Sequence, residues 1–305
     1  MRGAVYVNGK IAPADQAVVP VYDHGFVYGE GVYETLRTYN RVPFLYDRHM
    51  RRLRQSAERL LLDVPFDDAT LLGWIDQTIA AAGELGGVQG ARPSNDEAYI
   101  RILLTRGVGD LSYDPKSTPK PTVVIIVKPF EPPAARVFDE GIRISLVDVL
   151  RNHPRSVNPV IKSNNLLNNA LAMQAAYRAG GEEALMCNYR GELTECAQSN
   201  FFMVRGGAVL TPVSAAGLLE GVTRALVFEL GRELGVDVRE EILRPEDLDT
   251  AEEMFITSTT RALSPVVRID DRVVGSGKPG PVTRRLLGAY HAKAQELTRS
   301  AVSSS

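Results

Sequence analysis

The stretch Val160-Ile161-Lys162-Ser163-Asn164-Asn165-Leu166-Leu167-Asn168-Asn169-Ala170-Leu171-Ala172 delivers a lysine from an apolar approach straight into a Ser/Asn-led helix start. The chain has only seven lysines among its 35 basic residues, and the other six stand in polar, turn-like or proline-flanked surroundings. A lysine at a strand end against buried helix surface is partly stripped of water, which favours its neutral amine. Such an amine is the nucleophile that Schiff-base chemistry needs. The same position also suits a lysine whose stem lies on apolar surface while its ammonium reaches water. Lys162 alone therefore leaves the chemistry open.

Working outward, Gly191-Glu192-Leu193-Thr194-Glu195-Cys196-Ala197-Gln198-Ser199-Asn200-Phe201-Phe202 reads as a turn, a short polar element carrying a lone carboxylate at Glu195, and an apolar strand. Leu218-Leu219-Glu220-Gly221-Val222-Thr223-Arg224 opens a helix, and Phe255-Ile256-Thr257-Ser258-Thr259-Thr260 is a strand running into hydroxyls. Together these supply an amine for an aldehyde, an acid for a pyridinium nitrogen, and an N–H and hydroxyl cradle for an anion. Pyridoxal 5′-phosphate (PLP) needs those three things.

On these motifs, in this order and approximate spacing, the chain resembles the fold-type IV PLP-dependent aminotransferases from about Tyr6 to about Tyr290. That family includes branched-chain aminotransferases, D-amino-acid aminotransferases and aminodeoxychorismate lyases. The resemblance implies that Lys162 is the catalytic lysine and that Glu195 faces the pyridine nitrogen. Asp47-Arg48-His49-Met50-Arg51-Arg52-Leu53 is similar to the family's Glu/Asp-x-His-x-x-Arg-Leu motif, which puts Arg52 on the phosphate, a task that suits the guanidinium fork. By the same resemblance Gly221, Val222 and Thr223 cradle the phosphate at a helix N-terminus, Ser258 and Thr259 add donors, and Leu219 packs on the cofactor ring. A departure is Leu167, where branched-chain members commonly carry a tyrosine for the cofactor's phenolic oxygen and D-amino-acid enzymes carry leucine. What holds that oxygen is left open between a water and a nearby asparagine.

The substrate side follows by resemblance too. Tyr28 aligns with a pocket tyrosine of the family, and Tyr33 and Arg37 fall at the spacing of the branched-chain Phe-Glu-Gly-x-Arg motif. Thr35 replaces its glycine and should narrow or polarise the site. Tyr99-Ile100-Arg101 is similar to the Tyr-x-Arg strand motif of bacterial branched-chain enzymes, and strand alternation puts Tyr99 and Arg101 on one face. Thr260 completes the expected substrate set. Residues 107–118 contain no arginine or histidine, so the Arg-x-His carboxylate trap of D-amino-acid enzymes is missing from this loop. The expected activity is transfer of an amino group between L-branched-chain amino acids and 2-oxoglutarate by a ping-pong Schiff-base mechanism. Rival readings are a D-amino-acid or broad-specificity transaminase, including (R)-amines, then an aminodeoxychorismate lyase or a non-catalytic PLP-fold protein.

Composition sets the frame. A chain of 305 residues, 44% hydrophobic and with net charge −2, has room for two domains and gives no reason to expect a nucleic-acid or membrane partner. No apolar run approaches the roughly 18 residues of a membrane span, and Met1–Tyr6 carries no signal-peptide core. Cys187 and Cys196 are too few for a disulfide framework, and no Cys/His pattern suggests a metal. A reducing, cytoplasmic compartment is expected.

Residues 4–46 read as an antiparallel meander through Val5–Val7, Val18–Tyr22, Val32–Tyr39 and Phe44-Leu45, with Asn8-Gly9 a hairpin signal. Asp47 should cap a helix through about Leu62, and a second helix runs near Asp67–Ala82. Gly83–Asn95 reads as loop, followed by strands at Ala98–Thr105 and Thr122–Val127. The proline-rich linker at 129–135 is stiff and separates a small domain, residues 1–128, from a large PLP-binding domain, residues 136–300. The tail 301–305 should be disordered. The fold class is α+β in two domains, with the active site expected between them. Family resemblance also implies a homodimer or higher homo-oligomer.

Overall fold

A computed structural model describes residues 2–85 and 97–302. They fall into two units. The first holds the chain through Glu131, the short segment Ile161–Asn165, and the chain from Gln295 onward; the second holds Pro132–Val160 and Leu166–Ala294. A single boundary in the proline linker does not anticipate that Ile161–Asn165 and the chain end join the first unit.

The first unit contains β1 (Ala4–Val7), β2 (Lys10–Pro13), α1 (His24–Val27), β3 (Gly31–Tyr39), β4 (Val42–Pro43), α2 (Tyr46–Arg59), α3 (Asp68–Leu85), β5 (Ala98–Thr105) and β6 (Thr122–Pro129). Its six strands run in the order β2-β1-β6-β5-β3-β4, antiparallel throughout. Asn8-Gly9 turns β1 into β2 as its sequence predicts, with both residues at positive φ. Period-two alternation gives the sheet two unlike faces. Leu36, Ile100, Ile102, Ile125 and Val127 pack with Met50, Leu53 and Ala57 of α2 and Leu71 and Ile75 of α3, each large apolar side chain contributing about 1.5–3 kcal/mol by leaving water. The opposite positions, Tyr33, Thr35, Arg37, Tyr99 and Arg101, are half-buried.

Three expectations need correcting here. Val18–Tyr22 forms no strand, and Val18, Val21 and Tyr22 are exposed; among the described residues no strand pairs with it, so apolar character alone does not make it one. Asp47 is not the cap of α2 but lies in its first turn, facing Arg51 at 3.7 Å; Leu45, in the left-handed region at φ 54, precedes the helix. The helix α3 continues through Leu85, and the rest of the loop read at Gly83–Asn95 lies outside the described residues.

The second unit begins with α4 (Ala135–Asp139), β7 (Ile142–Val147), α5 (Leu167–Arg178), β8 (Ala184–Cys187) and β9 (Leu193–Cys196). It continues through β10 (Asn200–Arg205), β11 (Ala208–Pro212), α6 (Val222–Leu234), β12 (Val238–Glu241), β13 (Glu253–Ser258), β14 (Ala262–Ile269), β15 (Arg272–Val273) and, as far as Ala294, α7 (Pro281–Val302). Its sheet runs β12-β11-β10-β13-β14-β7-β8-β9, with β15 beside β14. Three pairs are parallel: β7 with β8 across α5, β11 with β12 across α6, and β14 with β7, which are far apart in the chain. Phe201, Met203, Leu210, Met254 and Ile256 fill its core. The helix α7 reaches Val302, into the tail read as disordered; residues 303–305 lie outside the described residues.

Candidate active site

Lys162 does not sit at a strand end. It rides on a short extended strap, Ile161–Asn165, that runs antiparallel along the first half of β3. Val32 bridges Ser163, the Tyr33 N–H donates to the Lys162 carbonyl at 2.9 Å, and the Asn164 N–H donates to the Gly31 carbonyl at 2.9 Å. The Lys162 N–H in turn donates to Ser56 Oγ of α2 at 3.1 Å. Glycine is needed at position 31, because a Cβ there would lie 2.6 Å from Asn164 Nδ2 and 2.7 Å from the Leu104 carbonyl. Opposite residues of an antiparallel pair project to the same side, so Lys162 Nζ lies 4.4 Å from the centre of the Tyr33 ring.

The same ring carries Arg101, whose guanidinium carbon is 4.2 Å from its centre. The structure thus gathers Lys162, Tyr33 and Arg101 around one aromatic platform. Arg37 is engaged differently, between the rings of Tyr39 and Phe130 at 3.9 and 3.7 Å. Tyr99, paired with Arg37 across β3 and β5, stacks under Lys128 at 5.1 Å. Tyr28 follows α1 and packs on His24 and Tyr113 at 4.9 and 5.0 Å.

On the helix-covered side of β3, Glu34 is fully buried. Arg52 grips it with two bonds, Nε to Oε1 at 2.7 Å and Nη2 to Oε2 at 2.8 Å. His49 Nδ1 lies 2.7 Å from Oε2 and must donate, since a carboxylate only accepts. Sequence reasoning named Arg52 for the phosphate and missed Glu34, although a buried arginine fork requires a carboxylate of this kind. Burial pushes the Glu34 carboxyl up, but Arg52 and His49 outweigh it and leave it well below its ordinary range. Burial pulls His49 below its ordinary value, and Glu34 only partly restores it.

This pair predicts acid lability. The unfolded chain binds a proton at His49 near pH 6.5, while the folded chain does so only at lower pH. Stability is therefore lost as pH falls below about 6.5, by at most about 1.4 kcal/mol per pH unit per proton. Glu34, ionised in the fold below the pH at which the unfolded chain protonates it, adds to the loss below about pH 4.3. Thermal melts of the wild type and His49→Asn between pH 8 and 5 test this. The variant keeps a donor for Glu34 and should flatten the slope; an unchanged slope would remove His49 as its source.

In the second unit Glu195 is not the lone carboxylate its sequence setting suggests. It is buried on β9, accepts from Arg151 Nε at 2.8 Å, and lies 3.3 Å from Asn200 Nδ2. Arg151 also donates to Asn168 Oδ1 at 2.9 Å. Asn200 Nδ2 donates to the Leu219 carbonyl at 2.8 Å, and a Cβ at Gly221 would sit 2.0 Å from Asn200 Oδ1. One asparagine therefore joins the carboxylate to the turn that opens α6. Asn200 pairs with Thr257 across β10 and β13, bringing the half-buried Ser258-Thr259-Thr260 turn to the same end of the sheet. Sequence reasoning missed Arg151, Asn200 and Asn168; the one signal available was that a buried carboxylate needs partners.

These groups fit PLP on three observations. The N-terminus of α6 has no side-chain cap, so the helix start can accept an anion. Gly221 keeps the approach to it clear of a Cβ. Thr257 Oγ1 is buried with no protein partner at the sheet end that carries the hydroxyl turn.

Comparison with known proteins agrees. The sequence profile of the amino-transferase class IV family matches residues 31–269. A Methanocaldococcus jannaschii protein assigned to the branched-chain-amino-acid aminotransferases is 38% identical over 282 residues, 92% of this chain and 93% of that one. The D-alanine aminotransferase of Listeria innocua is 33% identical, over 92% of this chain and 93% of that one. Among solved structures, the branched-chain amino acid aminotransferase of Thermobaculum terrenum in its PLP-bound holo-form superposes with a TM-score of 0.82 at 26% identity, over 96% of this chain and 95% of that one. Among the described residues no helix is long and apolar enough to cross a membrane. With its two-sheet α+β fold, its strap-borne lysine and its buried carboxylate, the chain belongs to the class IV aminotransferases and is a PLP-dependent aminotransferase similar to the branched-chain enzymes.

Proposed function

We propose that the enzyme moves amino groups between L-branched-chain amino acids and 2-oxoglutarate. The observation that carries this reading is the platform on which the Lys162 amine and the Arg101 guanidinium share the Tyr33 ring. PLP, when bound, supplies an electron sink for the substrate's α-carbon and a carrier for the amino group. Lys162 holds the cofactor through Nζ and, when the substrate amine displaces it, moves the proton taken from the α-carbon. Glu195 keeps the pyridine nitrogen protonated, with Arg151 and Asn200 fixing its carboxylate. Arg52, Gly221, Val222, Thr223, Ser258 and Thr259 hold the phosphate, and Leu219 packs on the ring. Glu34 aims Arg52 by occupying its Nε and Nη2.

Tyr28, Tyr33, Arg37, Tyr99, Arg101 and Thr260 form the substrate set in this reading. Within it Arg101 meets the distal carboxylate of glutamate, while the rings around Arg37 favour a supporting place for that side chain. Arg101→Ala should damage the half-reaction with glutamate or 2-oxoglutarate far more than that with leucine. The difference should be on the order of one to a few kcal/mol if the ion pair is desolvated, and less if water reaches it. Equal losses for both substrates would instead put Arg101 on the shared α-carboxylate or in support of the fold.

A D-amino-acid specificity is the second reading. It is favoured by Leu167, exposed in the first turn of α5, and by the similarity to a D-alanine aminotransferase. Separate half-reaction spectra with L-leucine, D-alanine and an (R)-amine decide between them: a preference for D-alanine overturns the branched-chain reading. A homo-oligomer is part of the proposal, supported by the exposed apolar side chains Val18, Val21, Phe26, Leu111 and Tyr113, which a second copy could cover. The free thiols Cys187 and Cys196 suit a cytoplasmic setting.

A further inference from the structure

Glu183, immediately before β8, is fully buried and takes no part in the chemistry above. Its Oε2 accepts from Arg261 Nη1 at 2.9 Å and from Ser199 Oγ at 3.1 Å, and its Oε1 accepts from the Ala184 N–H at 3.1 Å. Arg261 reaches a second partner, donating from Nη2 to Gln198 Oε1 at 3.1 Å. Gln198 and Ser199 form the turn between β9 and β10, with Glu195 just before it and Asn200 just after it. Arg261 lies in the turn between β13 and β14, beside Ser258, Thr259 and Thr260.

That second turn is held from within as well. The Arg261 N–H donates to Ser258 Oγ at 3.2 Å, and its carbonyl accepts from Ser264 Oγ at 3.0 Å. Ala262 then adopts φ 51, a left-handed conformation that alanine enters only when its surroundings impose it. Burial pushes the Glu183 carboxyl up, and Arg261, the Ala184 N–H and Ser199 only partly restore it. Buried ion pairs are weak sources of stability, because apolar residues of like volume often do as well. What this pair supplies is direction: a guanidinium fork fixes two acceptors in one plane.

We propose that Glu183 and Arg261 are positioning residues whose ion pair clamps the Ser258–Thr260 turn to the turn between Glu195 and Asn200, and so sets the Ser258 and Thr259 donors for the cofactor phosphate. The proposal rests on the reading of Ser258 and Thr259 as phosphate ligands. Its test compares the dissociation constants of PLP and of pyridoxal, which lacks the phosphate, for the cofactor-stripped full-length chain. Glu183→Gln and Arg261→Ala should each weaken PLP binding about tenfold or more while leaving pyridoxal binding within about threefold. The double variant should be no worse than the weaker single. Arg261→Lys keeps the charge toward Glu183 but cannot also hold Gln198, and it should fall between wild type and Arg261→Ala; it also serves if either larger change fails to fold.

Equal weakening of PLP and pyridoxal, or a lower melting temperature with an unchanged PLP-to-pyridoxal ratio, would reduce the pair to fold support and overturn the clamp. Additive losses in the double variant would put Arg261 on the phosphate itself, also against the clamp. Thr259→Val and Ser258→Ala in the same assay separate the two ideas. If they shift the ratio and Glu183→Gln does not, the clamp fails and the phosphate reading stands. If neither shifts it, the phosphate reading fails.

Discussion

Lys162→Ala is expected to abolish transamination while leaving the protein folded. The amine is both nucleophile and proton carrier in the proposed mechanism, and a positioned proton carrier alone is worth about 10²–10⁴-fold. The loss should therefore exceed about 10⁴-fold in single-turnover measurements with L-leucine. The fold should tolerate the change because the strap is anchored through main-chain groups. The Tyr33 and Asn164 N–H bonds and the Lys162 N–H to Ser56 Oγ bond all survive truncation to alanine. What disappears is the contact of Nζ with the Tyr33 ring, which is no part of that main-chain anchoring. Partial recovery with added methylamine would mark the missing group as the amine. Appreciable turnover without any added amine would sink the assignment.

The second large effect is expected at Glu195. Glu195→Gln keeps the size of the side chain and an oxygen that can still accept from Arg151, so PLP should be retained. It removes the charge that, in the proposed mechanism, keeps the pyridine nitrogen protonated. Loss of one preorganised electrostatic group in an active site commonly costs about 10²–10³-fold, and the half-reaction should slow by that order. Stability should fall as well, because Arg151, only 9% exposed, loses its counter-charge. Rates are therefore to be measured well below the variant's own melting temperature. A rate equal to wild type would mean that Glu195 does not face the ring nitrogen.

Much of this architecture is legible in the sequence because it is written locally. The strand Ala98–Thr105 occurs with the bounds read from the sequence, a helix opens within Leu218–Arg224 at Val222, and the strand read at Phe255–Thr260 gives way to the hydroxyl turn after Ser258. Arg52 and Gly221 are likewise visible through short motifs. What escapes is whatever depends on chain segments meeting from afar. Arg151 and Asn168 reach the Glu195 network from the β7–α5 connection and the start of α5, and Glu34 meets Arg52 from a strand packed under a helix. No local pattern encodes those pairs, only the rule that a buried charge must find a partner. Leu193–Cys196 looks polar yet is a buried strand, because its threonine and glutamate are satisfied inside, Thr194 Oγ1 by the Met186 carbonyl at 2.9 Å. Val18–Tyr22 errs the other way, apolar in sequence and exposed in the fold.

The strap also has a bearing on biosynthesis. A ribosome releases β1 to β6 long before it releases Ile161–Asn165, and the latter must close a very long loop to reach β3. Until then the first half of β3 is a nascent sheet edge, its Gly31 carbonyl and Tyr33 N–H open to pairing with another strand. Lys162, the proposed catalytic lysine, and the segment that seals this edge are one piece of chain, so an N-terminal half stalled or cut in the proline linker carries all six strands of its sheet and neither the seal nor the amine.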